Sequence, residues 1–437
     1  MKIFGKRTIN MNKIISCLAV FSMTTLTAFA QSGTNSPYSQ YGLGDLSDQG
    51  VGFNKGMGGV GLAFRKGNEV NPMNPASYSS IDSITMIFDA GLSGQITNFS
   101  EGGRKLNAKS GGFDYVTGAL RLIKNVGVSF GVMPLSNIGY EYTSTTSRLD
   151  SETSVYSEYS GKGGLNQLFL GVGWRVFKPL SVGFNVSYLW GDIEKSVSSV
   201  SSSDINTIYK DYYASVSNYK FDFGVQFAQP IGKDMLTIGA VFSPEHKLNA
   251  DPEARIIHKN SSISKSDTTS FKITDGLSLP TSFGVGVAYQ KDLRLRVGAD
   301  FRMQKWGSLA FPTFNNNSYS LKEGLLKDSY KMNVGAEWIP NPRSTRSVLH
   351  HVRYRVGAGY STPYYYYYIE GKDGPKEIHL SFGLGIPIMN GYNNRSLLNV
   401  SAEWQRRSAD NLITENTFRL NIGLTFNERW FSKMKVE

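Results

Sequence analysis

Fourteen short segments of alternating apolar and polar residues run through this 437-residue chain, joined by links that alternate between short and long. In residues 180–188, for example, leucine, valine, phenylalanine and tyrosine alternate with serine, glycine and asparagine. Successive side chains of a β-strand point to opposite faces, so each segment presents one apolar and one polar face. A period of two that recurs this often predicts an all-β fold, a 14-stranded antiparallel transmembrane β-barrel with its apolar face against lipid.

The lengths of the links separate a membrane barrel from a soluble β-sandwich. Outer-membrane barrels have short periplasmic turns and long external loops, whereas a sandwich gives no reason for strict alternation. The strands are also regularly spaced along the whole chain, which favours one barrel over two globular domains. Tight turns are predicted near residues 123–125, 177–179, 230–234 and 290–292, and long connections near 98–110, 144–164, 192–217, 249–280 and 305–328.

The first thirty residues predict export. A basic start precedes a short apolar core, residues 14–26, and a small-residue cleavage site at residues 28–30. A lipoprotein signal ending at Cys17 is the weaker alternative, because almost no apolar core precedes it. We therefore expect a signal peptide at 1–30, an N-terminal plug segment at 31–80 and the barrel at 81–437, in the outer membrane of a Gram-negative bacterium.

Four features resemble the FadL-type outer-membrane transporters of hydrophobic compounds, in the form common among Bacteroidota. The predicted strand count is the family's number. A glycine-rich stretch, residues 56–63, leads to an Asn-Pro-Ala turn at 74–76 before the first strand. Residues 279–289 are similar to the family's strand after a long external loop, and residues 426–431 are similar to the family's ending.

The resemblance implies a monomeric barrel whose lumen is blocked by its own N-terminal segment. It implies uptake of small hydrophobic molecules, fatty-acid-like or aromatic, with sideways release through a gap beside an interrupted third strand. The Asn-Pro-Ala turn either moves during transport or is a fixed turn, and a fixed turn is favoured. The residues assigned to the plug are Gly56, Met57, Gly58, Gly59, Asn74, Pro75 and Ala76.

A candidate for the interruption follows the apolar set of the third strand, residues 126–132. Proline lacks the N–H that a strand ladder needs, so it is placed at edges, bulges or breaks. We expect the next four residues either to open the wall or to form a simple bulge. The lateral-opening candidates are Pro134, Leu135, Ser136 and Asn137.

Many charges fall on the polar face of the strands. Buried charges without partners are very costly, so we expect these groups to pair and fill a plugged lumen rather than to bind substrate. An apolar pocket beneath the external loops is compatible with such a network. The residues assigned to the lumen charge network are Arg294, Arg296, Asp300, Arg302, Glu337, Arg353, Arg355 and Glu403.

Enzyme chemistry receives little support from the sequence. Cys17 is the only cysteine, and none of the five histidines has metal-ligand spacing, so we expect no catalytic residue, metal or cofactor. The expected partners are outer-membrane lipid, without nucleic acid, and either a hydrophobic small-molecule substrate or another outer-membrane protein. The alternative to transport is therefore an accessory or shuttle subunit of a Bacteroidota outer-membrane secretion or assembly machine.

Overall fold

The computed structural model describes residues 33–83, 85–147, 154–201, 206–260, 265–315, 318–343, 348–367, 372–388 and 396–428. The predicted signal peptide and residues 429–431 of the C-terminal motif therefore lie outside the described residues. One short helix, α1 (Gly52–Lys55), and three 3-10 turns (Pro37–Gln40, Pro75–Ser80 and Val348–His351) occur among them, and no described helix is long and apolar enough to cross a membrane.

The strands are β1 (Asp45–Leu46), β2 (Met86–Glu101), β3 (Arg104–Ile123), β4 (Val126–Pro134), β5 (Ser136–Ser147), β6 (Ser154–Gly163), β7 (Asn166–Arg175), β8 (Leu180–Ser201), β9 (Asn206–Ile231), β10 (Asp234–Ser243), β11 (His246–Lys247), β12 (Glu253–Asn260), β13 (Lys265–Lys272), β14 (Ser278–Leu279), β15 (Ser282–Lys291), β16 (Leu295–Gln304), β17 (Phe311–Asn315), β18 (Ser318–Lys322), β19 (Ser329–Trp338), β20 (Arg353–Ser361), β21 (Tyr366–Tyr367), β22 (Lys372–Asp373), β23 (Lys376–Ile388), β24 (Ser396–Ser408) and β25 (Thr414–Glu428).

Fourteen of these spans close into an antiparallel barrel, which confirms the predicted fold. The last strand, β25, pairs with the first barrel strand, β2, from Met86–Glu428 to Ser100–Thr414. Two barrel strands are each built from two segments, because β4 continues into β5 and β6 continues into β7. The ring order is β2, β3, β4, β7, β8, β9, β10, β15, β16, β19, β20, β23, β24 and β25.

Alternate side chains of the strands form an apolar outer band. On β15, Phe283, Val285 and Val287 are 43–54% exposed, whereas the intervening residues face the lumen. The terminal strand β25 repeats the pattern from Phe418 to Phe426. A continuous band of exposed aliphatic and aromatic side chains around a closed sheet is the surface that contacts acyl chains in membrane barrels.

The long connections at the outer end are hairpins rather than irregular loops. The strands β8 and β9 extend well beyond the level of Trp190 and pair along most of their length. Segment β6 pairs with β5 and with the β8 side of this extension, and β12, which pairs with β13, adds to its β9 side. The sequence did not separate these strands from loops, because alternating serine and valine carries little apolar contrast.

Candidate functional site

A buried ion-pair cluster fixes the plug to the barrel wall. The plug carboxylate Glu69 lies 2.9 Å from Arg296 Nη1 and also contacts Arg353. On the wall, Glu337 lies 3.1 Å from Arg296 Nη2 and 2.8 Å from Arg355 Nε. No side chain of the cluster is more than 10% exposed. Burial raises the pKa of the Glu69 carboxyl, but Arg296, Lys66 and Arg353 outweigh burial and hold that pKa at about 2.

Plug backbone groups supply a second set of contacts. The amides of Gly61 and Leu62 both donate to Asp300 Oδ2, at 2.7 and 2.9 Å. The Gly58 amide donates to Ser381 Oγ at 2.7 Å. An Asp300 carboxylate that accepts two amides of one turn holds that turn in a single position, since each lost bond would leave a buried donor unsatisfied.

Close approach explains the glycines of the plug. Gly58 has a φ of +64°, and a Cβ there would lie 2.8 Å from the backbone nitrogen of Ala358. Gly59 also has a positive φ, +74°. Gly56 lies against Gly383 of the wall. Met57, which separates Gly56 from Gly58 in the sequence, is fully buried. The plug therefore touches the barrel backbone directly, which only glycine permits at these positions.

The Asn-Pro-Ala turn is held by hydrogen bonds within the plug. Asn74 Oδ1 accepts from the amide of Ala76 at 3.1 Å, and Pro75 begins a 3-10 turn. Asn74 Nδ2 donates to the carbonyl of Leu62 at 2.7 Å. These contacts join two parts of the plug to each other and leave Asn74 fully buried.

The predicted lumen charges do not all belong to the ion-pair cluster. Arg302 and Glu403 line cavities instead. Arg294 precedes β16 and is exposed in the turn, where its amide bonds to Lys291. The charged plug partner, Glu69, was not identified from the sequence, because it lies in a segment without periodic patterning.

The predicted interruption lies at a break in the wall. Pro134 ends β4, Leu135 lies between the two segments, and Ser136 begins β5. The amides of Leu135 and Ser136 both donate to the carbonyl of Leu165, at 2.7 and 3.1 Å. Contact with the neighbouring strand at Leu165 is therefore kept across the break.

On the side that faces β3, residues 138–147 of β5 have no strand pairing among the described residues. The pairing of β3 with β4 stops at Val116 and Val132. Residues 104–115 of β3 have β2 as their described partner strand, while β5 pairs with β6 and, over two residues, with β1. We call the interval between residues 104–115 of β3 and residues 138–147 of β5 the seam.

The start of the plug occupies the seam. Asn35 Nδ2 donates to the carbonyl of Lys109 on β3 at 2.9 Å. On the other edge, the amide of Gly139 on β5 donates to Ser39 Oγ at 3.2 Å. Gly33 lies between the two strands, since a Cβ on it would be 3.2 Å from Asn137 Cγ. Side chains of the plug thus satisfy strand-edge groups that a neighbouring strand would otherwise bond.

Two cavities lie above the plug, on either side of β1. The larger, about 540 Å³, has mostly polar walls that include Lys55, Asp114 and Arg419. The smaller, about 270 Å³, has an apolar side and a charged side. Apolar residues of the smaller cavity are Met73, Met133, Leu135, Phe169 and Val241. Lateral-opening candidates border both cavities, with Leu135 on the smaller one and Pro134, Ser136 and Asn137 on the larger one.

Arg302 lies on the charged side of the smaller cavity and has unsatisfied hydrogen-bond donors. Its Nε and Nη2 atoms are buried and have no hydrogen-bond partner among the described residues. Nearby, Lys220 is paired with Asp222 at 2.8 Å and Lys331 with Asp48 at 3.6 Å. A guanidinium with unsatisfied donors beside apolar walls can donate hydrogen bonds to the carboxylate of an amphiphile.

Comparison with known proteins gives both a family and a fold. A family model described as BamG matches residues 11–437. No curated protein matches the chain. Among solved structures, the chain is similar to the CymD monoaromatic hydrocarbon channel, with 13% identity, a TM-score of 0.58 and coverage of 89% of this chain and 100% of that one.

Two further structures agree with this fold. The Ralstonia pickettii toluene transporter TbuX is 15% identical with a TM-score of 0.59, over 87% of this chain and 98% of that one. A Pseudomonas aeruginosa FadL homologue is 12% identical with a TM-score of 0.57, over 88% and 99%. The fold is therefore that of the FadL-type transporters, as the sequence motifs predicted.

Proposed function

The chain belongs to the BamG family, and from that premise and its FadL-type fold we propose that it is an outer-membrane channel for small hydrophobic molecules. The observation that carries the proposal is the smaller cavity, which lies beneath the external hairpins and next to the break after Pro134. Its volume of about 270 Å³ is just below the range of about 300–1,000 Å³ for ligand pockets. CymD and TbuX, which share the fold, are described as a hydrocarbon channel and a toluene transporter.

Arg302 narrows the proposed substrate to an amphiphile with an acidic head. The apolar wall would hold a hydrocarbon tail, and the unsatisfied guanidinium atoms would bind a carboxylate. Hydrogen bonds to charged groups contribute about 1.5–3 kcal/mol each. We therefore propose fatty-acid-like molecules ahead of neutral aromatic ones.

Release is proposed to occur sideways through the seam. Below the cavities the plug is fixed by buried ion pairs, whereas the strand edges of the seam are bridged by the side chains of Asn35 and Ser39. An apolar molecule that leaves through the wall enters the acyl region without crossing water, so sideways release avoids the cost of hydration.

Ligand retention tests the substrate class. We expect Arg302→Met to weaken oleate binding by about 10-fold or more while toluene binding stays unchanged, because only oleate has a carboxylate. Arg294→Met, in an exposed turn, is the matched control and should leave both ligands unaffected. Equal loss of oleate and toluene, or no loss of oleate, would contradict the proposed binding mode.

A covalent bridge across the seam tests sideways release. Lys109→Cys with Gly139→Cys places two thiols on facing strand edges, and Cys17, the only native cysteine, lies in the predicted signal peptide. We expect a flexible bis-maleimide to stop uptake in this variant. Lys162→Cys with Glu194→Cys spans an intact ladder pair and should keep uptake after the same treatment.

A second function is favoured by the larger cavity. Its polar walls do not suit a hydrocarbon, and the plug is pinned by the Glu69 cluster. These features support an accessory or shuttle subunit of an outer-membrane secretion or assembly machine, in which the barrel is a sealed scaffold. Purification from native membranes separates the two: an ordered amphiphile inside an isolated barrel supports transport, while a stoichiometric protein partner with an empty barrel supports the accessory role.

A further inference from the structure

Exposed lysines lie in the tight turns at the periplasmic end of the barrel. The periplasmic end is the one at which the chain enters β2 and leaves β25, and it carries the tight turns. Four consecutive tight turns around one side of the rim, after β3, β7, β9 and β15, each hold one exposed lysine. These lysines are Lys124, Lys178, Lys233 and Lys291.

The acidic groups of the same turns are already occupied. Asp234 accepts from Tyr289 Oη at 2.5 Å and from the amide of Asp292 at 3.0 Å. Asp292 lies 3.2 Å from Arg343 Nη2. Among the described residues, none of the four turn lysines has an ion-pair partner within 4.0 Å. Each therefore has an ammonium group without a carboxylate at ion-pair distance, although Asp234 also lies close to Lys291.

An exposed apolar residue lies within two positions of each lysine. Such side chains are unusual at the tips of turns that face only water, but they are expected where a turn meets the acyl boundary. Trp174, 51% exposed just before the second turn, adds an interfacial ring at the same level. The apolar neighbours are Ile123, Phe177, Ile231 and Leu293, between 51% and 67% exposed.

From this arrangement we propose that the four lysines bind the phosphate groups of anionic phospholipids in the inner leaflet. Neighbouring strands lie about 5 Å apart and the turns are two strands apart, so the lysines span an arc of about 30 Å. The neighbouring apolar side chains hold each turn at the depth of the headgroups, while the flexible lysine stem lets the ammonium reach a phosphate. The result is a lipid-binding arc on one side of the barrel.

A lipid-competition experiment on the complete barrel without the predicted signal peptide tests whether this arc binds anionic lipid. Wild type, a quadruple variant (Lys124→Gln, Lys178→Gln, Lys233→Gln, Lys291→Gln) and a control are incubated in mixed micelles with equal phosphatidylglycerol and phosphatidylcholine. Retained lipids are then counted by native mass spectrometry. The control removes the same charge from exposed lysines at the outer end: Lys105→Gln, Lys210→Gln, Lys259→Gln and Lys322→Gln.

We expect wild type and control to retain phosphatidylglycerol preferentially. The preference of the quadruple variant should fall at least about 10-fold, because each surface lysine raises the affinity for anionic lipid about fivefold at low salt. Raising the salt concentration should weaken the wild-type preference because surface charges are screened. Heat-modifiable migration on gels confirms that each variant is folded.

Three outcomes would overturn the proposal. The first is an unchanged preference in the folded quadruple variant. The second is an equal loss in the outer-end control, which would mean that net charge alone sets lipid retention. The third is unchanged lipid retention together with loss of an acidic periplasmic protein from native pull-downs, which would assign the arc to a protein partner.

Discussion

Replacing Glu69 with glutamine should release the plug from the wall while leaving the barrel folded. Glu69 contacts Arg296, at 2.9 Å, and Arg353, and its side chain is only 3% exposed. The substitution keeps the size of the side chain but removes its charge. Both guanidinium groups then remain buried, and Glu337 becomes the one carboxylate of the cluster for three arginines.

The size of the effect follows from this imbalance. Breaking a buried pair by removing one partner costs about 3–5 kcal/mol, because the remaining charge is left uncompensated. Every 1.4 kcal/mol is a factor of ten in an equilibrium constant, so plug opening should become roughly 10²- to 10³-fold more frequent. The barrel ladders do not involve Glu69, so global unfolding should change much less.

Hydrogen exchange of plug amides measures that opening. The amides of Gly61 and Leu62, which bond to Asp300, should exchange 10²- to 10³-fold faster in the variant. The pKa of Glu69 in the folded protein is about 2, below the value near 4.3 of a free glutamate. Its contribution is therefore complete above about pH 5 and is lost as pH falls toward 2, so the difference from wild type should be constant from pH 5 to 8.

A surface ion pair provides the comparison. Lys162 and Glu194 lie 3.0 Å apart but are 76% and 46% exposed. Lys162→Gln should change plug exchange by less than twofold, because exposed pairs contribute little and this one lies far from the plug cluster. If Glu69→Gln accelerated exchange by less than about fivefold, the reasoning that buried ion pairs fix the plug would be wrong.

Two further substitutions probe the plug contacts. Tyr115→Phe removes a hydroxyl that accepts from the Gly52 amide at 2.7 Å and donates to Asp89 at 2.8 Å. The free energy of unfolding, measured in urea, should therefore fall by about 1–3 kcal/mol. A smaller loss than 0.5 kcal/mol would mean that water replaces the hydroxyl. Gly58→Ala places a Cβ 2.8 Å from the backbone nitrogen of Ala358 at a φ of +64°, so limited proteolysis should cut the plug faster than in wild type. Proteolysis at the wild-type rate would show that the plug can shift without losing its contacts.

The barrel was predictable because period-two patterning fixes which face each residue occupies. Arg296, Glu337 and Arg355 share the lumen face by parity, and the structure places them on adjacent ladder positions of β16, β19 and β20. Cross-strand neighbours of opposite charge then pair without further information. The wall half of the ion-pair cluster could therefore be anticipated from the strands alone.

The plug half could not be anticipated in the same way. Glu69 lies in a segment that is neither strand nor helix, so no periodicity assigns it a direction. The side on which the third strand loses its partner was not predicted either. Pro134 marks an interruption in the third strand, but period-two patterning does not say whether the loss of pairing falls toward β3 or toward the next strand. Only the packed structure determines that choice.

The energies of the contacts decide which way a bound molecule can leave. At the base of the lumen, Glu69 and Asp300 hold the plug by charged groups, whose loss costs about 3–5 kcal/mol for a buried ion pair. At the seam, Asn35 and Ser39 make neutral side-chain hydrogen bonds to strand edges, worth about 1 kcal/mol each. We propose that a fluctuation that breaks these two bonds is more frequent than one that ejects the plug. That difference favours sideways release for a molecule in the larger cavity, whose walls include Gly33 and Gly112 at the seam.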